Sequence, residues 1–216
     1  LMRAAPAGSD FQLVYALRYA QTTDPGQLAG VRAIFEGAQV VPGLTLDTEL
    51  RWSLLTQLVA RGVYGDAEID AELARDATAA GEKRAATARS ARPTAEAKAA
   101  AWAAVMETDT LSNHVLAATM AGFWVPDQAD LTRPYVQRYF DEIGQIWQTR
   151  TIDTAQTITT MLFPSSVIEP ATVEAVDTYL ATKEPQPALR RALQENRDDL
   201  LRSLAARERD RAAAAD

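Results

Sequence analysis

The sequence predicts an all-α fold: an α-solenoid or curved superhelix of antiparallel helix pairs, HEAT-like or armadillo-like, with about ten helices. Three observations carry this. Helix start and stop residues recur at short intervals. Apolar residues between them repeat at three and four positions. The period-two alternation of a half-buried strand is almost absent. Short turns favour antiparallel neighbours, and each pair needs a further pair to bury its second apolar face.

In chain order, Ser9 caps a first helix carrying Phe11, Leu13, Val14, Leu17 and Ala20. Asp24-Pro25 places an N-cap before a first-turn proline, and Leu28, Val31, Ile34 and Phe35 follow at helical spacing until Gly37. Asp47 opens a helix whose Leu50, Leu54, Leu55, Leu58 and Val59 form one apolar stripe, stopped by Gly62. Its partner starts at Asp66 and uses Ile69 and Leu73. Residues 77–101 are alanine-rich and read as two short helices broken at Arg92-Pro93. Thr94 caps a helix with Ala97, Ala101, Trp102, Val105 and Met106; Ser112 caps another with Val115, Leu116 and Met120. Phe123-Trp124-Val125-Pro126 interrupts the pattern. From Thr132, the residues Tyr135, Val136, Tyr139, Phe140, Ile143, Ile146 and Trp147 describe the most aromatic helix and a packing centre. A helix bearing Ile152, Ala155, Ile158, Thr159 and Leu162 stops at Phe163-Pro164. Glu169-Pro170 starts one with Val173, Val176, Tyr179 and Leu180. A final helix after Pro187 carries Leu189, Leu193, Leu200, Leu201 and Leu204. The expected organisation is a terminal linker over 1–8, one helical-repeat domain over 9–211, and a frayed tail over 212–216. Trp52, Trp102 and Trp147 recur at intervals of 50 and 45, near the period of helix-pair repeats. Three unrelated core tryptophans would give the same spacing.

Twenty-two basic and 29 acidic residues leave a formal charge of −7, which argues against nucleic acid and anionic lipid as partners. Cysteine is absent, excluding a disulfide framework, a thiolate metal site and a cysteine nucleophile. No apolar run approaches the roughly 20 residues of a membrane span, and the opening Leu1-Met2-Arg3-Ala4-Ala5-Pro6 lacks the apolar stretch of a signal peptide. A cytoplasmic location is expected. Starting at Leu1 rather than Met, the chain reads as a piece of a longer polypeptide.

Chemistry is sparse. His114 is the only histidine, so a two-histidine zinc site of the H-E-x-x-H type cannot be built. Ser112 lies near it, but there is no G-x-S-x-G elbow, and His114 reads as a partly buried structural residue. No phosphate-binding glycine pattern occurs. The carboxylates Asp198-Asp199, and Glu68 with Asp70 and Glu72, match what any solvated helix carries. Five acids between Asp66 and Asp76 lack the spacing of a calcium loop. Arg133, Arg138 and Arg150, near Tyr135, Tyr139 and Trp147, are the candidates for gripping a carboxylate, because arginine bonds bidentately and aromatics shape a pocket. In the competing reading the aromatics are core and the arginines surface. The residues thus offer no catalytic, cofactor-binding or metal-binding set.

One ordered series of landmarks is more specific. Gly43-Leu44-Thr45-Leu46-Asp47-Thr48-Glu49-Leu50-Arg51-Trp52 leads into Leu54-Leu55, Leu58, Arg61-Gly62, Ile69, Glu72-Leu73, Asp76, Gly81, Pro93, Lys98 and Trp102. Phe123-Trp124, the helix from Tyr135 to Trp147, and Leu162-Phe163-Pro164 continue it. The series resembles the helical C-terminal domain of zinc aminopeptidases of the aminopeptidase N family, the type shared with endoplasmic-reticulum aminopeptidases. The bacterial branch is the nearer match.

That resemblance implies a bowl of helix pairs that closes over a separate thermolysin-like catalytic domain and contacts the far part of a substrate peptide. The family's zinc ligands and general base sit in an H-E-x-x-H-x18-E motif, and its amine-binding residues in G-x-M-E-N. Neither occurs here, so no catalytic, metal or peptide-binding residue carries over. The function implied is an accessory domain of an enzyme that removes N-terminal residues from peptides, not catalytic alone. Zinc would reside in the parent enzyme, and the partners would be the catalytic domain of the same polypeptide and the peptide. An isolated copy would self-associate through its exposed former interface. The alternative is a free-standing helical-repeat scaffold binding a protein or peptide. A helical-repeat DNA-binding domain would need a basic groove, and no lysine cluster supplies one.

Overall fold

Ser9, Asp24, Asp47, Thr78, Ser112 and Thr151 each stand just before a helix, and each side-chain oxygen accepts the backbone N–H three residues on, at 2.8–3.4 Å. These caps satisfy donors that a helix start leaves unpaired and explain the density of helices. The structure, a computed structural model, describes residues 1–214, and among these the chain is all-helical with no strand. Among the described residues no helix is long and apolar enough to cross a membrane. The chain forms two compact units, one from Leu1 to Ala97 and the other from Lys98 onward.

The first unit holds α1 (Asp10–Ala20), α2 (Pro25–Phe35), α3 (Thr48–Ala60), α4 (Asp66–Arg75) and α5 (Ala79–Ser90). The helix α3 is its axis, contacting the other four. Leu50, Leu54 and Leu58 face a cluster with Ala16, Ala20, Val31, Ile34 and Val41. Trp52, Leu55 and Val59 face another with Ile69, Ala85 and Ala88. The single stripe expected of α3 is therefore two, because a helix packed on both sides must be apolar on both. Met2, within the expected linker, is buried in the first of these clusters. The helix α4 starts at Asp66 as expected, and the Glu68 carboxylate accepts the N–H of Gly65 just before it at 2.9 Å. Gly62 follows α3 with φ +71°, a left-handed conformation that ends the helix without the strain a side chain would add.

Three apolar side chains of α1 are not core. Phe11, Leu13 and Val14 are exposed, while Gln12, Ala16 and Ala20 are buried. Gln12 earns its place by donating to the Pro42 carbonyl and accepting from the Gly8 N–H, both at 2.9 Å. Small residues at 16 and 20 let the helix approach closely.

The helix α6 (Ala95–Trp102) contains the division between the units and runs into a π-helical turn over Ala103–Glu107. The second unit continues with α7 (Asn113–Phe123), a 3-10 turn at Pro126–Gln128, the short α8 (Ala129–Thr132), α9 (Pro134–Thr149), α10 (Ile152–Met161), α11 (Pro170–Thr182) and α12 (Pro187–Ala213). Thr132, expected to begin the aromatic helix, closes α8 instead, its buried hydroxyl donating to the Gln128 carbonyl at 3.2 Å, and α9 starts at Pro134. One core joins Trp102, Val105, Met120, Phe123, Tyr139, Phe140, Ile143, Ile158, Leu162, Phe163, Val176, Leu189 and Leu193. The aromatic helix α9 is its centre, as its spacing predicts. Ile152 and Leu201, expected inside, are 66% and 40% exposed. The cap at Thr151 turns Ile152 outward so that Ala155, Ile158 and Thr159 share the buried side. The final helix extends to Ala213; residues 215 and 216 of the expected frayed tail lie outside the described residues.

Candidate functional site

The π-helical turn after α6 is where the second unit opens a groove. One extra residue in the turn widens the helix, a device that re-aims side chains and is frequent at functional sites. Val105 and Met106 go into the core, and Glu107 emerges half exposed. Opposite stands the α9 face carrying Arg138, Glu142, Ile146 and Thr149, ending at Arg150, and the groove between holds about 620 Å³.

Arg138 organises this groove. Its Nε donates to Glu142 Oε1 and one of its terminal nitrogens to Glu107 Oε1, both at 2.6 Å. The Trp102 indole N–H donates to the other Glu142 oxygen at 2.9 Å. The guanidinium also lies over the Trp102 and Tyr135 rings, 5.5 and 5.9 Å from their centroids, within cation–π range. Bonding to Glu142 raises the Arg138 pKa, with Glu107 adding to it against the effect of burial, so the cation persists at every accessible pH. Arg150 donates to the Thr108 carbonyl and lies 3.8 Å from Asp109. Three carboxylates and two guanidiniums thus line one cleft. Their fixed forks and lone pairs suit hydrogen bonding to a peptide main chain or to its charged side chains.

The sequence-derived arginine trio is therefore split. Arg138 and Arg150 share the groove. Arg133 instead bonds Glu169 at 3.0 Å and Asp130 at 3.0 Å, tying the start of α9 to the start of α11. The aromatics are structural. Tyr139 is fully buried and donates to the Thr159 carbonyl at 3.0 Å; burial pushes its hydroxyl pKa up. Trp147 donates to the Thr159 hydroxyl at 2.8 Å. Tyr135 is partly buried against Trp102 and Phe123.

The other candidates have structural duties. His114 is exposed on the first turn of α7, not partly buried as expected, because the capped start of that helix faces solvent. Ser112 Oγ accepts the Val115 N–H as a cap. Glu72 is 4% exposed and takes both Arg51 Nε and a terminal nitrogen, at 2.8 and 2.6 Å. Asp70 pairs with Arg89, Asp199 with Arg202, and Asp198 lies 3.9 Å from Arg197. Among the described residues no three His, Asp or Glu side chains converge as a metal site would require. Among the described residues the donor set does not fit a zinc ion.

Sequence reasoning missed Glu107, Glu142 and the role of Trp102. Arg138 and Glu142 stand four apart on one helix, a readable pair. Glu107 reaches them only because of the π-turn. A parallel arrangement occurs in the first unit: the Trp52 indole donates to Asp76 at 2.9 Å, Arg84 donates to Asp76 at 3.0 Å, and Arg84 also bonds Glu49. A groove of about 350 Å³ lies beside it. Trp52 and Trp102, fifty residues apart, thus do the same chemical job, whereas Trp147 does not.

The chain is 46% identical over 214 residues to an aminopeptidase N of Streptomyces lividans, an alignment covering 99% of this chain and 25% of that protein. The chain therefore spans about a quarter of the length of this curated relative. The ERAP1-like C-terminal domain family matches residues 5–202. With that match over nearly all of an all-helical chain, the protein belongs to the ERAP1-like C-terminal domain family.

Proposed function

We propose that this chain is the accessory C-terminal domain of a zinc-dependent aminopeptidase that removes N-terminal residues from peptides. The observation that carries the reading is the family match over residues 5–202 together with 46% identity to one quarter of an aminopeptidase N. In this reading residues 9–211 act as one functional domain of stacked helix pairs, enclosing a cavity whose catalytic part belongs to the same polypeptide. Zinc and the residues that bind it reside there in this reading, and among the described residues of this chain no donor cluster competes for the ion. The Arg138 groove contacts the peptide beyond its first residues, where carboxylates and guanidiniums bond main-chain and charged groups. The enzyme works in the cytoplasm, and an isolated copy of this chain self-associates.

Cleavage of aminoacyl amides and of longer peptides, with added zinc, tests the reading. The chain alone is expected to be silent, and its addition to a catalytic fragment of the family should change activity or peptide-length preference. Metal-dependent cleavage by the chain alone would overturn the proposal. So would a gene that begins at this chain, which would instead favour a free-standing scaffold.

A further inference from the structure

The helix α1 carries Phe11, Leu13, Val14 and Leu17, yet the side chains it buries are Gln12, Ala16 and Ala20. Phe11 is 68% exposed, Val14 51% and Leu13 42%. At about 100° per residue, Phe11 and Val14 stand on the side of the helix opposite the Ala16–Ala20 stripe, while Leu13 borders the stripe and Leu17 is partly buried against the core. Only Asp10 and Arg18 bring charge to that side. A helix with one solvated face is normally polar there, whereas one apolar all round is covered all round. Among the described residues, five of the eight exposed large apolar side chains, Leu1, Phe11, Leu13, Val14 and Val40, fall in the first 40 residues. Concentrated exposure of this kind marks an interaction surface rather than scattered surface residues.

What covers it follows from length and order. The chain matches only 25% of its aminopeptidase N relative, and its family is by description a C-terminal domain. In a polypeptide of which this is the C-terminal domain the remainder lies on the N-terminal side, where α1 is the first helix. We propose that the outward face of α1, formed by Phe11 and Val14 with Leu13 at its edge, is the seat of the preceding part of the same polypeptide, which meets it with an apolar surface. This rests on the reading that the chain is one domain of a longer aminopeptidase. Burying the face removes from water the apolar area that the fold of this chain leaves outside.

The absence of cysteine gives a direct test. Phe11→Cys and Val14→Cys are made in the full polypeptide, with Ile152→Cys, 66% exposed on α10, as the open control. Maleimide modification is followed by mass spectrometry of the peptide that carries each cysteine. Cysteines at 11 and 14 should react at least about tenfold more slowly than at 152 in the full polypeptide, and at the rate of 152 in the dilute 216-residue chain. Equal rates at all three positions in the full polypeptide overturn the proposal. Protection that persists in the dilute 216-residue chain overturns it, because the chain then covers the face by itself, and a gene with no coding sequence upstream removes the occupant. Aminopeptidase activity of the same full polypeptide separates the two readings. A covered α1 in an inactive protein keeps the interface and sinks the enzyme; an active enzyme with α1 open does the reverse.

Discussion

At residue scale, the two tryptophans that hold carboxylates are the most consequential side chains. Trp52 and Trp102 are 2% and 0% exposed, and each uses its indole N–H on an acid that an arginine also binds. Trp52→Ala and Trp102→Ala should each destabilise the protein by about 3–5 kcal/mol in urea unfolding, the usual cost of emptying a large aromatic site. A loss well below 1 kcal/mol would show that neither ring is core. Lys98 offers a pH-resolved test. It is fully buried, donates to the Phe123 carbonyl at 2.8 Å, and desolvation lowers its pKa to about 8. A lysine whose folded pKa lies below its unfolded one is held at a cost while charged. Between pH 8 and its ordinary value near 10.5 the unfolded chain binds more protons, so stability from this group rises with pH across that window. Lys98→Met should flatten that rise, as read from urea midpoints at pH 7 and 9.5. Asp76 has the same sign in the acid range: its bonds from Thr78 and Trp52 and the charge of Arg84 lower its pKa, so the stability it contributes rises with pH there and is lost as acid protonates it.

At the scale of the element, caps and close approaches decide more than propensity. The Asp47 carboxylate accepts the Leu50 N–H at 2.8 Å at the head of α3, the helix on which both cores of the first unit rest. Asp47→Ala should cost about 1 kcal/mol in chemical denaturation. Gly81 sits inside α5, where alanine would ordinarily be better by about 1 kcal/mol. A Cβ there would fall 1.9 Å from the Asp76 carbonyl oxygen, which belongs to the backbone just past α4. Gly81→Ala should therefore destabilise, by about 1–3 kcal/mol. A stabilised variant in thermal melts would mean that α4 and α5 do not pack this closely.

For the whole molecule, the proposed role makes the groove matter for peptides and not for minimal substrates. In the full polypeptide, Arg138→Lys keeps the charge but loses the planar fork that bonds Glu107 and Glu142 together. KM for peptides of several residues should rise about tenfold, the effect of roughly 1.4 kcal/mol, while KM for aminoacyl amides stays within about twofold. Equal changes for both substrate classes would place the groove outside the peptide path.

Much was legible in the sequence because its signals are local. Ser9, Asp24, Asp47, Thr94 and Ser112 announce helix starts, Gly62 and Pro93 announce breaks, and the spacing of Tyr139, Phe140, Ile143, Ile146 and Trp147 announces a buried face. The family landmarks were legible for the same reason, as residue types in a fixed order. Packing partners were not. Apolar spacing cannot say which of two faces finds a neighbour, so Phe11, Leu13 and Val14 read as core although Gln12, Ala16 and Ala20 hold that place. Nor does spacing foresee that a π-turn carries Glu107 to Arg138 while Arg133 is drawn to Glu169. The sequence by itself determined the all-helical fold and the family, since both depend on short-range patterns; only the tertiary structure decided the groove and the uncovered face of α1, since both depend on which distant side chains meet.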